Sequence, residues 1–144
     1  MSYTIHHLLH INAPKEKVFT ALTNIEELKV WYTTEVEGSS ALNKIIKFKF
    51  GSIDFHTKVI ELINNEKIVM ECVDTSLPVI GQRISYELDQ NEEKTRVRFS
   101  QDGFNELDDF YANMNFSASK YLESLRQYCQ NGSSEAFGSK GYRS

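Results

Sequence analysis

Residues 105–131, NELDDFYANMNFSASKYLESLRQYCQN, form the one long stretch of the sequence with an unbroken helical period. Its apolar side chains recur at intervals of three and four residues, which is the spacing of one face of an α-helix. They are Leu107, Phe110, Tyr111, Met114, Ala118, Tyr121, Leu122, Leu125, Tyr128 and Cys129. The spacing predicts a helix of roughly 25 residues and ~38 Å, long enough to cross a small domain.

Both ends of this predicted helix carry residues that commonly start or stop a helix. Asn105 is the expected N-cap, acidic residues follow in the first turn, and Gly132 suits a left-handed C-cap. Phe116 lies on the side opposite the apolar stripe, so we expect it to face away from the core. Either the segment around Phe137 covers it, which we favour, or it marks an association surface.

The chain before this helix alternates apolar and polar side chains, as strands of an antiparallel sheet with one solvated face do. Strands are predicted at residues 3–11, 35–36, 44–50, 53–62, 67–73, 81–88 and 95–101. Two short helices, at residues 14–22 and 25–30, follow the first strand, with Pro14 starting one and Thr23 or Asn24 capping the other. The pattern favours an α+β fold in which a curved sheet of six to seven strands wraps around the long C-terminal helix.

Length and composition describe one globular domain with a single core. The chain has 144 residues, 40% hydrophobic and 25% charged, and we expect one domain at residues 1–131 and a loosely held tail at 132–144. A net charge of −4 with scattered basic residues argues against a nucleic-acid partner. No run reaches the roughly 18 apolar residues of a membrane span, and no signal-peptide pattern opens the chain, so we expect a cytoplasmic protein.

The residues that could bind a metal do not form a ligand pattern. His6 and His10 share one face of the first strand, whereas alternation places His7 on the other. Cys72 and Cys129 fall on apolar faces and are expected to be buried, reduced thiols. We therefore expect no metal and no cofactor.

Signs of catalysis are similarly weak. His56 and Glu71 could act as acid and base, but alternation places both on the outer faces of their strands. Glu61 is the carboxylate that alternation leaves facing inward, near the end of the sheet. The sequence has no nucleophile elbow and no phosphate-binding glycine loop, so an enzyme is the less favoured interpretation.

Several motifs together resemble the heat-shock chaperone ATPase activator-like (AHSA) family of the START-like, or SRPBCC, superfamily. The opening motif is INAPKEKVFTALT at residues 11–23, and the closing one is YLESLR at 121–126 before Gly132. Between them, in the family's order, come WYTT (31–34) with Gly38, FKFG (48–51), VIE (59–61), Gly81 before ISYEL (84–88), and TRV (95–97). The resemblance covers residues 3 to about 137 and implies the helix-grip fold, whose sheet and long helix enclose a cavity.

Two positions depart from the family's pattern. Ala118 stands where many relatives carry Trp before the Tyr-Leu-x-Ser-Leu stretch, and Val79-Ile80 stands where many carry Trp before the glycine that matches Gly81. Each change replaces an indole with a smaller side chain, so we expect a cavity larger than is usual in the family.

The predicted ligand-binding residues are the inward-facing side chains of the sheet, the second short helix and the long helix. They are Trp31, Phe48, Phe50, Phe55, Thr57, Val59, Met70, Cys72, Ile84, Tyr86, Phe99, Phe110, Tyr111, Met114, Ser117, Ala118 and Tyr121. Together with the resemblance, this set predicts binding of a small hydrophobic or aromatic molecule without catalysis. Tyr86, Tyr111, Thr57 or Ser117 would orient it by hydrogen bonds.

Two alternatives from other classes stay open. One is a protein-interaction, co-chaperone-like module that binds a protein partner or forms a homodimer. The namesake relatives that regulate a chaperone ATPase carry an additional N-terminal domain, for which we expect no room in 144 residues, so the family resemblance does not transfer that activity. The other is a cyclase- or hydrolase-type enzyme, which the superfamily includes and which needs polar groups converging in the cavity.

Overall fold

A seven-stranded antiparallel sheet and three helices make up the computed structural model, which describes residues 2–144. The elements in chain order are β1 (Tyr3–Ile11), α1 (Lys15–Thr23), α2 (Ile25–Trp31), β2 (Glu35–Gly38), β3 (Ile45–Phe50), β4 (Ile53–Ile63), β5 (Lys67–Thr75), β6 (Arg83–Asn91), β7 (Lys94–Phe104) and α3 (Asp109–Asn131). The strand order β1-β7-β6-β5-β4-β3-β2 and the long C-terminal helix confirm the predicted helix-grip fold. No helix within residues 2–144 is long and apolar enough to cross a bilayer.

The two short helices carry the chain across the width of the sheet. Strands β2 to β7 are paired in sequence order, whereas β1 pairs with β7 at the far edge, with Tyr3 opposite Phe104. The connection from β1 to β2 must therefore run from one edge to the other. The two predicted short helices, α1 and α2, make this crossing, and Asn24 caps α2 by accepting a hydrogen bond from the Glu27 amide at 3.1 Å.

The sheet buries one face of each long strand, as the alternation predicts. On the inner face Ile46, Val59 and Val97 are fully buried. On the outer face of the β6–β7 hairpin, Asp89 accepts hydrogen bonds from Arg96 and Arg98, both at 2.8 Å, and these contacts hold the pKa of its carboxyl below the usual range. The core therefore lies between the inner face and the helices.

One residue of the predicted inner face is placed differently. Glu61 is exposed, and its carboxylate lies 3.2 Å from the Lys67 Nζ. A β-bulge between Val59 and Glu61 adds a residue to β4 and reverses the alternation beyond it. The expectation of an inward carboxylate is therefore wrong.

Helix α3 starts three residues later than the predicted N-cap implies. Strand β7 continues to Phe104, and residues 105–108 link it to the helix, with Leu107 63% exposed. The N-cap is Asp108, whose side chain accepts a hydrogen bond from the Tyr111 amide at 2.9 Å, so Asn105 as the cap was wrong. At the other end Gly132 is the predicted left-handed cap, with φ of 72°.

The tail after α3 is packed against the domain, which corrects the expectation that it is loosely held. The Ala136 amide donates to the Val30 carbonyl at 3.1 Å, and the Phe137 amide donates to the Tyr32 carbonyl at 2.9 Å. The Thr34 amide donates back to the Phe137 carbonyl at 3.0 Å. This short parallel bridge holds the tail beside the start of β2.

The tail does not cover Phe116. Instead, the Phe137 ring packs edge-on against Phe50, with ring centroids 5.7 Å apart, and Tyr142 stacks on Tyr121 at 6.3 Å. Phe116 is outward-facing as predicted and 65% exposed, and the Lys120 Nζ lies 5.8 Å from its ring centre. The favoured expectation of coverage by the Phe137 segment is therefore wrong.

Candidate ligand-binding cavity

A cavity of about 240 Å³ lies between the concave face of the sheet and the N-terminal half of α3. The lining comes from the end of α2, strands β3, β4, β6 and β7, the β5–β6 loop and α3. The lining residues are Tyr32, Phe50, Ile53, Phe55, Leu77, Ile84, Tyr86, Phe99, Gln101, Phe110, Asn113, Met114, Ser117, Ala118, Tyr121 and Leu122. Most of this surface is aliphatic or aromatic.

The two halves of α3 pack differently, and this difference creates the cavity. In the C-terminal half Leu122, Leu125 and Cys129 are buried against the core. In the N-terminal half Phe110 and Met114 are only partly buried, because they border open space rather than the sheet. The first four turns of the helix, from Asp109 to Leu122, therefore form a roof over the cavity.

An aromatic cluster forms one wall. The Tyr32 ring packs edge-on against Phe48, Phe50 and Tyr121, with ring centroids 5.0, 5.2 and 5.0 Å apart. Edge-to-face pairs contribute about 0.5–1.5 kcal/mol each beyond their burial. Three such contacts fix the orientation of the Tyr32 ring in this wall.

The opposite wall belongs to the β6–β7 hairpin. Tyr86 packs edge-on against Phe99 with ring centroids 5.2 Å apart, and burial raises the pKa of its phenol well above the ordinary value. The neighbouring Gln101 donates from Nε2 to the Gln82 Oε1 at 2.8 Å, and both amides are buried. This wall combines apolar rings with neutral hydrogen-bonding groups.

The histidines and cysteines lie outside the cavity lining. The His7 Nε2 is 2.8 Å from the Asn115 Oδ1, while His6 and His10 lie on the outer face of β1. Burial raises the pKa of Cys72 to about 11 and that of Cys129 to about 12, which keeps both thiols protonated near neutral pH. Within residues 2–144 no three His, Cys, Asp or Glu side chains are grouped to hold a metal ion.

Ten of the residues predicted to bind ligand line the cavity. They are Phe50, Phe55, Ile84, Tyr86, Phe99, Phe110, Met114, Ser117, Ala118 and Tyr121. The seven others do not line it, and they are Trp31, Phe48, Thr57, Val59, Met70, Cys72 and Tyr111.

Contacts with neighbouring elements hold several of these seven side chains outside the cavity. The Trp31 Nε1 donates to the Ala21 carbonyl at 2.7 Å, which fixes the indole between α1 and α2. Thr57 is fully buried beside Met70, with its Oγ1 3.5 Å from the sulfur. The Tyr111 hydroxyl donates to the Thr4 carbonyl at 3.3 Å, on the side of α3 that faces β1.

Six lining residues are absent from the predicted set: Tyr32, Ile53, Leu77, Gln101, Asn113 and Leu122. Two had a usable signal, since Gln101 continues the alternation of Phe99 and Leu122 belongs to the apolar stripe of the long helix. Leu77 lies in a loop, where periodicity gives no direction.

A second concavity, of about 360 Å³, lies on the outer face of the sheet at β2, β3 and β4. Its charged side chains sit on neighbouring strands in opposite pairs, with Lys49 in register between Glu35 and Asp54. Such cross-strand pairing is typical of a solvated sheet face. The inner cavity is therefore the better candidate for a ligand site.

Comparison with known proteins identifies a matching family and several similar structures. The family model described as "Activator of Hsp90 ATPase homolog 1-like protein" matches residues 12–130. No curated protein matches the chain. The solution structure of the Aha1 dimer from Colwellia psychrerythraea matches with a TM-score of 0.85 and 32% identity, over 90% of this chain and 98% of that chain.

More distant structures share the fold. The protein SSP2350 from Staphylococcus saprophyticus matches with a TM-score of 0.77 and 16% identity, over 92% of this chain and 95% of that one. CalU16 from Micromonospora echinospora matches with a TM-score of 0.75 and 12% identity, over 91% and 78%. At these identities the matches show the common architecture alone.

Proposed function

Since the chain belongs to the family of Activator of Hsp90 ATPase homolog 1-like proteins, we propose that it reversibly binds a small hydrophobic or aromatic molecule in the cavity under α3. The observation that supports this most is the cavity itself. Protein interiors are close-packed, and voids larger than a water molecule are few. A space of about 240 Å³ bordered by aromatic rings is well beyond a packing defect.

The size of the cavity limits the ligand. Sites for drug-sized molecules usually measure ~300–1,000 Å³, so this cavity suits a molecule of one to three rings rather than a two-chain lipid. Binding would be driven by burial of apolar surface, at about 25 cal/mol per Å² before the entropy of association is subtracted.

A titration with N-phenyl-1-naphthylamine, an uncharged probe that fluoresces in apolar surroundings, tests the proposal. We expect saturable binding at one site and a rise in the melting temperature with probe concentration, because a ligand that binds only the folded state stabilises it. Non-saturable fluorescence with an unchanged melting temperature would reject the cavity as a binding site. Mass spectrometry of small molecules released from the purified protein by denaturation would identify the natural occupant.

A second function, self-association, is favoured by Phe116. This large aromatic side chain is 65% exposed in the middle of α3, with the Lys120 Nζ 5.8 Å from its ring centre. The relative from Colwellia psychrerythraea, with 32% identity, is described as a dimer. We propose that a second copy of this chain covers the Phe116 face.

Sedimentation velocity over a range of concentrations tests self-association. We expect a dimer whose dissociation constant rises at least ten-fold in Phe116→Ser, because an apolar ring would leave the interface. Leu8→Ser is the matched control, since Leu8 is 53% exposed on the outer face of β1, opposite to the face that α3 covers. A monomer at all concentrations, or equal effects of the two substitutions, would reject this interface.

A further inference from the structure

The Tyr86 hydroxyl is a hydrogen-bonding group without a protein partner inside the cavity. The side chain lines the cavity and is only 5% exposed. Within residues 2–144 no buried side-chain oxygen or nitrogen that is sealed from solvent lacks a hydrogen bond. Because the Tyr86 Oη takes part in none of the protein's hydrogen bonds, it must open onto the cavity space.

The neighbouring Gln101 adds a second neutral polar group on the same wall. In the β6–β7 register Gln101 lies opposite Ile84, one inward position from Tyr86, and cross-strand diagonal neighbours lie within reach of long side chains. The bond from its Nε2 to Gln82 fixes the amide plane. A primary amide has two donor hydrogens and one acceptor oxygen, so this single bond leaves part of its capacity for a ligand.

The charge of the lining is as informative as its polarity. Every residue that borders the cavity is uncharged, and none is a histidine. An ionised ligand group would lose its water without gaining a counterion, which is strongly unfavourable in an apolar site. Burial also raises the pKa of the phenols of Tyr86 and Tyr32, which keeps both protonated as hydrogen-bond donors near neutral pH.

From these features we infer that the cavity selects a neutral molecule with a ring system and a carbonyl or ether oxygen, which accepts a hydrogen bond from the Tyr86 hydroxyl. Gln101, held by Gln82, lies beside that oxygen and limits its position. The inference rests on the proposed ligand-binding function and adds the chemical class of the ligand. Apolar rings supply the affinity, and the β6–β7 wall supplies the selectivity.

Three probes with one ring system and nearly the same shape test this inference. They are 1-acetonaphthone, which carries a carbonyl, its hydrocarbon counterpart 1-isopropenylnaphthalene, and the anion 1-naphthoate. Their dissociation constants would be measured by displacement of N-phenyl-1-naphthylamine from the wild-type protein and from Tyr86→Phe. The matched control is Tyr111→Phe, which removes a hydroxyl that donates to the Thr4 carbonyl outside the cavity.

We expect the preference for ketone over hydrocarbon to fall about three- to ten-fold in Tyr86→Phe and to stay unchanged in Tyr111→Phe, because one net hydrogen bond is lost. We also expect naphthoate to bind wild type at least about ten-fold more weakly than the ketone. The inference is overturned if the preference for ketone over hydrocarbon is the same in Tyr86→Phe as in the wild-type protein, or if naphthoate binds the wild-type protein as tightly as the ketone does. If the inference is overturned but the hydrocarbon still binds, the proposed ligand-binding function is still supported. Failure of all three probes to bind would reject both the inference and the proposed function.

Discussion

Ala118 is the residue whose size most directly sets the free space under α3. It lines the cavity on the roof, one helical turn after Met114. We expect Ala118→Trp to fill the cavity, weaken N-phenyl-1-naphthylamine binding at least about ten-fold and leave the free energy of unfolding equal or higher. A probe titration and a urea denaturation curve measure the two effects.

Ala112→Trp is the control for this substitution, because Ala112 is exposed on the same helix and outside the cavity. It adds the same indole and the same change in helix propensity without filling space. A destabilisation of ~1–3 kcal/mol in Ala118→Trp alone would mean that the site is already packed, contrary to the open cavity described above.

Residue by residue, sequence predicted which way side chains face better than what they contact. Alternation placed both Tyr86 and Thr57 on the inner face, and both are buried there. Only Tyr86 reaches the cavity, because Thr57 lies where the inner face is already filled by Met70. Periodicity shows which face of a strand a residue lies on, but not which part of α3 covers that residue. Residues that line the cavity could therefore not be distinguished from residues packed in the core.

At the scale of elements, the start of α3 offers a direct comparison of two candidate caps. Asp108 accepts a hydrogen bond from the Tyr111 amide, whereas Asn105 lies in the exposed linker. We expect Asp108→Ala to lower the free energy of unfolding by about 1 kcal/mol, because the Tyr111 amide loses its acceptor and a favourable negative charge leaves the helix N-terminus. Asn105→Ala should change it by less than about 0.5 kcal/mol.

Chemical denaturation at neutral pH gives the free energy of unfolding of both variants. The decisive observation is which of the two substitutions lowers it more. An equal or larger loss in Asn105→Ala would indicate that the helix begins earlier in solution. The same experiment at high salt should reduce the Asp108 effect in part, since screening weakens the charge contribution but not the hydrogen bond.

The elements themselves were predictable because their signals are local. Each strand from Ile45–Phe50 to Lys94–Phe104 has its own alternation and a turn at each end. Boundaries were less predictable, since β7 extends through Gly103 to Phe104 although its alternation was followed only to residue 101. The pairing of β1 with β7 has no local signal at all, and the sequence did not predict it.

At the scale of the whole molecule, the tail connects the chain end to the cavity wall. Phe137 and Tyr142 pack from outside against Phe50 and Tyr121, two residues that line the cavity. We expect Tyr142→Ala to lower the free energy of unfolding by about 1–2 kcal/mol, through lost ring contacts and burial. Binding of N-phenyl-1-naphthylamine should weaken as well, because the wall loses its outer support.

Lys140→Ala serves as the control, since Lys140 is exposed in the same tail. Urea denaturation and probe titration of the two variants would be compared side by side. Unchanged stability in Tyr142→Ala would show that the tail contacts contribute nothing, and unchanged probe affinity would show that the wall is rigid without them.

The position of the roof helix late in the chain also affects how the protein is made. The sheet is complete only once Phe104 can pair with Tyr3, and the concave face stays uncovered until α3 and Phe137 have been synthesised. At roughly 5–20 residues per second the ribosome needs about two to seven seconds for residues 105–137. During that interval the nascent chain exposes the apolar surface that α3 later covers, and transiently exposed apolar surface of this kind promotes aggregation.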